Sequence, residues 1–280
     1  MISINRVMQK NIMSVDLEDY FCDLPFSTWE NYESRISNTT RILLDLFEKY
    51  DVTATFFTLG YIAEKHPELI EEIKSHGHEI SSHGYSHTDI RKMTKEQFES
   101  DLLKSISVIQ KISGEKVLGF RAPFFSIDKS TLWTFDILKK HMAYDSSIFP
   151  VRTPLYGIPS AKRYPYVISD INPLEENSDG TFIEIPPSTL QLPLFGNIPI
   201  AGGFHLRFLP TQIIKYGIKK LNRSNRPGVF YIHPKDLDPQ MPKISEYAWH
   251  YYWNLKQTAK KFESILKDFK FSCVRDVILE

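Results

Sequence analysis

The sequence predicts an α/β fold built on a parallel sheet. Three observations carry that reading: short apolar runs alternate with amphipathic helical segments, the connections between them are brief, and polar residues gather where the apolar runs end. In order, "NIMSVD" (11–16) reads as a buried strand, and "SNTTRILLDLFEKY" (37–50) as a helix with apolar residues at helical spacing. "VTATFFTLG" (52–60) is β-branched and aromatic, hence a second strand. "HPELIEEIKSHG" (66–77) places Pro67 in a first helical turn and Gly77 just past the end. "HEISSH" follows as a third strand. The helix over 94–114 opens with a Thr94/Gln97 capping box and stops at Gly114. "EKVLGFRAP" gives a fourth strand and "DKSTLWTFDILKKH" (128–141) another helix. The proline-rich stretch over about 150–210 breaks the regularity with loops and short extended pieces such as "GTFIEIPPSTLQLP". The pattern resumes with the strand "PGVFYIHP" (227–234), a long amphipathic segment (244–268) and a last strand "KFSCVRDV". No internal repeat or linker divides the chain. One domain over 1–280 is expected, with its core at about 11–275 and elaborated loops at about 150–210.

Composition narrows the function. With 34 basic and 34 acidic side chains in 280 residues the formal net charge is zero. Nucleic acid and anionic membrane surfaces reward clustered Lys and Arg, so neither is expected as a partner. No apolar stretch reaches the length of a bilayer span. The first residues mix polar and apolar types without the apolar run of a signal peptide, so the expected location is cytoplasmic. The two cysteines, Cys22 and Cys273, exclude a disulfide framework and a Cys-x-x-Cys metal site.

The informative residues close the strands. Asp16, Glu18 and Asp19 follow the first, His83 and His87 the third, Arg121 the fourth, and His233 ends "VFYIH". In parallel α/β folds the carboxyl ends of the strands share one face, where chemistry is carried out. Such groups are costly beside apolar strands unless something pairs them. Four of the nine histidines fall in "SHGHEISSHGYSH". His83 and His87 are four apart, a spacing that one helical turn converts into two imidazole ligands on one face, although chance alone also produces such pairs. His76 and His78 precede the strand "EIS" and read as scaffold. Imidazole pairs completed by a carboxylate suit zinc. Of the acidic cluster, one carboxylate would bind metal and a second would act as general base on the attacking water. Arg121 would hold that base ionised, and His233 would serve as general acid.

The ordered set "SVDLED", "SHGYSH", "GFRAPFFS", "YDSSIFP" and "FYIHP" resembles the polysaccharide deacetylase family (NodB-homology, carbohydrate esterase family 4), and most closely its peptidoglycan-deacetylase- and allantoinase-like subgroup. The resemblance implies a distorted (β/α) barrel of about seven parallel strands. It also implies hydrolysis of an N-acetyl group on a saccharide and a divalent metal, most often Zn2+. Residue by residue, it assigns Asp16 as base, His83 and His87 as ligands, Arg121 as the group orienting the base, and His233 as general acid. Asp145 occupies the position of an acidic residue that supports catalysis. The family's adjacent aspartates are here spread over "DLED". Asp19 is taken as the metal carboxylate, with Glu18 as the alternative because it shares a strand face with Asp16. The competing readings are an allantoinase-like ring-amide hydrolase and a non-catalytic glycan-binding homologue. His205 and Arg207 are further candidates for substrate contact, and a backbone N–H near Phe124 for the oxyanion.

Overall fold

The computed structural model describes residues 10–177 and 179–279. The leader-free reading of the N-terminus rests largely on residues 1–9, which lie outside that range, as do the outermost residues of the expected domain. The first half alternates as expected: β1 (Asn11–Leu17), α1 (Ile36–Tyr50), β2 (Thr55–Thr58), α2 (Gly60–Lys65), α3 (Pro67–Ser75), β3 (Glu79–Ser82), α4 (Lys95–Ser113), β4 (Gly119–Phe120), α5 (Phe135–His141) and β5 (Tyr144–Asp145). The looped middle contributes β6 (Tyr166–Val167), β7 (Ile183–Glu184), the hairpin β8 (Thr189–Leu192) and β9 (Gly196–Pro199), and α6 (Gly203–Phe208). The chain ends through α7 (Thr211–Arg223), β10 (Val229–Ile232), α8 (Leu255–Asp268) and β11 (Phe271–Ser272).

Seven parallel strands lie in the order β10-β1-β2-β3-β4-β5-β7, with β6 antiparallel on the outer edge of β7 and β11 parallel to β1. The sheet is an open, curled barrel rather than a closed one, because β6 and β10 at its two ends are not paired as strands. The chain leaving β7 bridges the gap: Ser188 N–H donates to the Val229 carbonyl, and Val229 N–H donates to Ser188 Oγ. β1 is clasped by late segments, pairing Ile12–Val15 with β10 and Asn11–Ile12 with β11.

The alternation along β1 sets the inside of the barrel. Met13, Val15 and Leu17 belong to the large apolar core. Ile12, on the opposite face, packs with Phe57, Tyr144, Ile185, Val229 and Val274 in a separate apolar plug. Ser14 and Asp16 follow Ile12 on that inner face, so the strand climbs from apolar floor to polar interior in steps of two.

Several expected boundaries shift for physical reasons. The helical stretch around 66 is two helices, broken at His66, where the backbone is non-helical and Pro67 opens the second. The Thr94/Gln97 capping box is formed as expected. Within 128–141 the regular helix begins only at Phe135. Within 244–268 it begins at Leu255, after Asn254 takes a left-handed conformation (φ 56°), and an aromatic-rich turn precedes it.

Candidate active site

Groups from the carboxyl ends of β1, β3, β4 and β10 converge on a cavity of about 700 Å³ lined by Asp16, Glu18, His83, His87, His233 and Lys235 among others. At its floor Arg121, 1% exposed, places Nη1 2.6 Å from Asp16 Oδ1. The same guanidinium donates to Ser14 Oγ (3.0 Å), to the Ser146 carbonyl (3.1 Å) and to Ser146 Oγ (2.8 Å), and its plane lies 4.2 Å from the Phe57 ring centroid. A buried carboxylate stays ionised against its desolvation only with such a partner.

Above Asp16 the chain bends, and Glu18 N–H donates to the Asp16 carbonyl. This keeps Glu18 over the cavity, where its Oε2 lies 2.6 Å from His87 Nε2 and 4.0 Å from His83 Nε2. Among the described residues, Glu18, His83 and His87 form the one group of three carboxylate or imidazole ligands whose donor atoms fall within 4.8 Å of one another. Glu18, the expected alternative, belongs to that group, and Asp19 does not. Its side chain turns away, accepting hydrogen bonds from Tyr20 N–H, Ser34 Oγ, Arg35 N–H and Ile36 N–H. Two of those donors are backbone groups at the start of α1, so Asp19 caps that helix from a distance. The histidines are also not on a helical turn. They sit in a loop where Gly84 (φ 75°) and His87 (φ 49°) have left-handed backbones, and this loop rather than a helix brings the imidazoles together.

Each imidazole is fixed by its outer nitrogen. His83 Nδ1–H donates to the Arg121 carbonyl (2.7 Å), and His87 Nδ1–H to the Cys22 carbonyl (2.9 Å). Burial lowers the His83 pKa to about 4, so the ring is neutral near pH 7. For Glu18, burial pushes the pKa upward, but Lys235, His87 and His233 outweigh it and hold the carboxyl well below its ordinary value. Lys235 Nζ bridges Glu18 Oε1 (2.7 Å) and Asp23 Oδ2 (3.0 Å). Sequence reasoning passed over Lys235 and Asp23, because neither type nor spacing marked them.

His233 faces Asp16 across the cavity, its Nε2 3.8 Å from Asp16 Oδ2 and 3.4 Å from Glu18 Oε1. Its Nδ1–H donates to Asp236 (2.9 Å), which is itself paired with Arg207. Burial opposes charging the ring, yet Asp236 and Glu18 prevail and raise its pKa. Asp236, three residues after His233, is a partner that the sequence reading missed. Asp145, expected as an acidic support of the catalytic groups, does not line the cavity. Fully buried, it accepts from Ser147 N–H and Ser147 Oγ and shares its surroundings with Glu184, whose pKa burial and Asp145 raise well above the carboxylate range. Ser147 Oγ in turn accepts from Ala122 N–H, so Asp145 braces the strand end carrying Arg121. His205 and Arg207 both line the cavity, but His205 Nδ1 is committed to the Ala201 carbonyl and Arg207 to Asp236. Phe124, left-handed at φ 57°, lies at the lip with its ring 4.4 Å from that of His87.

Residues 25–142 match the family described as polysaccharide deacetylase. The chain carries a polysaccharide deacetylase domain. Residues 146–279 match a second family, described as a domain of unknown function (DUF3473). The deacetylase match holds His83, His87 and Arg121, whereas Asp16 and Glu18 precede it and His233, Lys235 and Asp236 lie in the second match. One sheet nonetheless joins all of them.

Among curated proteins, the domain is 38% identical over 107 residues to a peptidoglycan deacetylase of Helicobacter pylori, covering 38% of this chain and 36% of that protein. It is 31% identical over 90 residues to a peptidoglycan-N-acetylglucosamine deacetylase of Bacillus cereus, covering 32% of this chain and 33% of the other. The chain thus matches about a third of the length of each of these relatives. Among solved structures, a protein described as a polysaccharide deacetylase from Mycobacterium smegmatis superposes with a TM-score of 0.65 at 18% identity, covering 96% of this chain and 88% of that one. A carbohydrate esterase family 4 pseudoenzyme from Bacillus anthracis superposes with a TM-score of 0.50 at 13% identity, covering 96% and 66%. The fold of the deacetylase domain is that of these structures, a curled and mostly parallel half-barrel.

The chain offers a donor set that fits a divalent cation. With Nδ1–H of His87 given to a carbonyl, the Nε2 lone pair faces a carboxylate oxygen at 2.6 Å. That oxygen, Glu18 Oε2, is buried and has no hydrogen-bond partner. Burial opposes a charge on His87, yet Glu18 favours it and raises the His87 pKa, so a proton can pair the two; a cation shared with His83 would take the place of that proton. Outer hydrogen bonds to backbone carbonyls are the usual way in which ligating imidazoles are oriented.

Proposed function

We propose that the protein is a metal-dependent hydrolase that removes an N-acetyl group from a saccharide. The observation that carries this reading is the placement of Asp16 and His233 beside the Glu18–His83–His87 cluster, 3.8 Å from each other and each tied from behind by its own buried partner. Glu18, His83 and His87 would hold the cation, for which zinc is the best match to a carboxylate and two imidazoles. When bound, a divalent cation supplies Lewis acidity to the acyl oxygen and acidity to a water.

The chain's own groups do the rest. Arg121 occupies Asp16 Oδ1 and leaves Oδ2 toward the cavity, so Asp16 is aimed as a general base. It takes a proton as water oxygen bonds to the acyl carbon. His233 presents Nε2 because Asp236 holds Nδ1–H, and its raised pKa favours the protonated ring. It delivers that proton to the nitrogen as the C–N bond breaks, giving acetate and a free amine. Metal analysis of the purified protein, paired with acetate release from N-acetylated saccharides, tests this reading. The expected results are one zinc per chain and a loss of roughly 10²–10⁴-fold in Asp16→Asn. Full activity in that variant, or a metal-free protein that releases acetate at the same rate, would overturn it.

A further inference from the structure

The cavity does not end at its polar floor. Phe204 and His250 form part of its wall, and from them a ridge of aromatic rings runs outward over the surface. Phe204 stacks on Phe208 (centroids 4.5 Å apart, 27° between planes), and Phe208 stacks on Trp253 (6.0 Å, 25°). Trp249 closes the group at right angles to Trp253 (5.7 Å, 88°). These four side chains are 41%, 37%, 51% and 67% exposed for Phe204, Phe208, Trp253 and Trp249. Contiguous exposed apolar surface of this kind marks a binding surface.

The ridge is anchored to the catalytic machinery. Asn254, whose left-handed backbone ends the aromatic turn, donates through Nδ2 to the Arg207 carbonyl, and Lys261 Nζ donates to the same oxygen. Arg207 is the residue whose guanidinium holds Asp236 and through it His233. An occupant of the ridge is therefore continuous with a group reacting at His233. The charges of the cavity narrow its chemistry. Of the lining Lys and Arg side chains, Arg91, Arg207 and Lys235 are each paired with a carboxylate, which leaves Lys92 as the one without such a partner among the described residues. A nucleotide diphosphate would find almost no free positive charge. A pyranose ring, in contrast, offers a C–H face to aromatic surface while its hydroxyls stay in water, which suits rings left about half exposed.

We infer that the Phe204–Phe208–Trp253–Trp249 ridge binds further sugar units of an extended saccharide whose N-acetylated unit occupies the cavity. The inference rests on the deacetylase reading for the reacting unit. A chain-length series of β-1,4-linked N-acetylglucosamine oligomers, from one to five units, tests it. In the wild type kcat/KM rises with length; in Trp249→Ala and Trp253→Ala it falls roughly tenfold for the tetramer and stays within about twofold for the monomer. Trp249→Tyr, which keeps a ring, restores most of the loss. Equal losses on monomer and tetramer, or no length dependence in the wild type, would overturn the inference.

A second arm separates the two readings. Binding of a glucosamine tetramer, which has no acetyl group, is followed by tryptophan fluorescence. If no oligomer is hydrolysed but the tetramer perturbs the wild type and not the alanine variants, deacetylation fails and the ridge stands. If those variants instead lose binding to phosphatidylcholine vesicles with tetramer binding unchanged, the ridge is a lipid surface and the inference fails.

Discussion

Glu18 Oε2 and His87 Nε2 stand 2.6 Å apart, while the other nitrogen of His87 is already given to the Cys22 carbonyl. Two neighbouring carboxylates in "DLED" thus divide the labour, one facing the histidines and the other capping α1.

Substitution separates them. Glu18→Gln is expected to weaken zinc binding by at least roughly 10²-fold, since a neutral amide replaces the only anionic donor of the cluster. Asp19→Asn should leave zinc affinity within a few-fold but lower stability by about 1–2 kcal/mol, because its amide nitrogen cannot accept the N–H groups of Arg35 and Ile36. Chelator competition reads the first effect and thermal unfolding the second. Zinc lost from Asp19→Asn and retained by Glu18→Gln would reverse the assignment.

The Arg121–Asp16 pair is buried on both sides, with side chains 1% and 3% exposed. Arg121→Met strands the carboxylate and should cost about 3–5 kcal/mol, while the double variant Arg121→Met/Asp16→Asn should recover part of that. Arg121→Lys keeps the charge but cannot reach Ser14, Asp16 and Ser146 together, so activity should fall even where folding survives. Denaturant unfolding of the three variants forms the cycle. A double variant less stable than Arg121→Met alone would contradict it.

His78 gives the protein an acid-sensitive support at the end of β3 opposite His83. Burial lowers its pKa to about 4, and its Nδ1 accepts the Ala54 N–H, so the folded ring is neutral. The unfolded chain binds the proton more tightly, near pH 6.5. Stability contributed by His78 is therefore whole above that pH and declines as pH falls from 6.5 towards 4, by up to about 1.4 kcal/mol per unit. His78→Gln should flatten this part of the stability profile. An unchanged slope would show that His78 is not the group responsible.

Glu184 works in the opposite sense. Burial and the adjacent Asp145 lift its pKa well above the usual carboxylate range, so the folded protein holds a proton that the unfolded chain releases. Its contribution is full below about pH 4.5 and lost as pH rises toward the folded pKa. Glu184→Gln retains an acceptor for the Ile148 N–H and a donor toward Asp145, and it should gain on the order of 1–3 kcal/mol at pH 8. A variant less stable than the wild type at that pH would be inconsistent with a shared proton.

The strand ends made much of this legible in the sequence. Asp16, His83, His87, Arg121 and His233 each close an apolar run, and a parallel sheet has one place to put them. The parity of β1 also pointed to Glu18, since Ser14, Asp16 and Glu18 fall on alternate positions. The pull toward Asp19 came from the expected residue type, and its role as a cap for α1 depends on a loop with no periodic signal. Asp236 sat in plain view three residues past His233, but an i,i+3 acid in a loop has many structural uses. Lys235 and Asp23 meet only because β1 and β10 are neighbours across some 210 residues, a fact that local pattern does not contain.

The clasp around β1 bears on how the fold assembles. The strand pairs with β10 and β11, which lie more than 200 residues further along the chain, with Asn11 opposite Phe271. Such distant pairings are entropically slow to close, and the sheet keeps an open edge until they do. Asp16 meets Arg121 across 105 residues, whereas His233 and Lys235 are brought to it only by the pairing of β1 with β10. Assembly of the candidate site thus coincides with closure of the β1–β10 pairing.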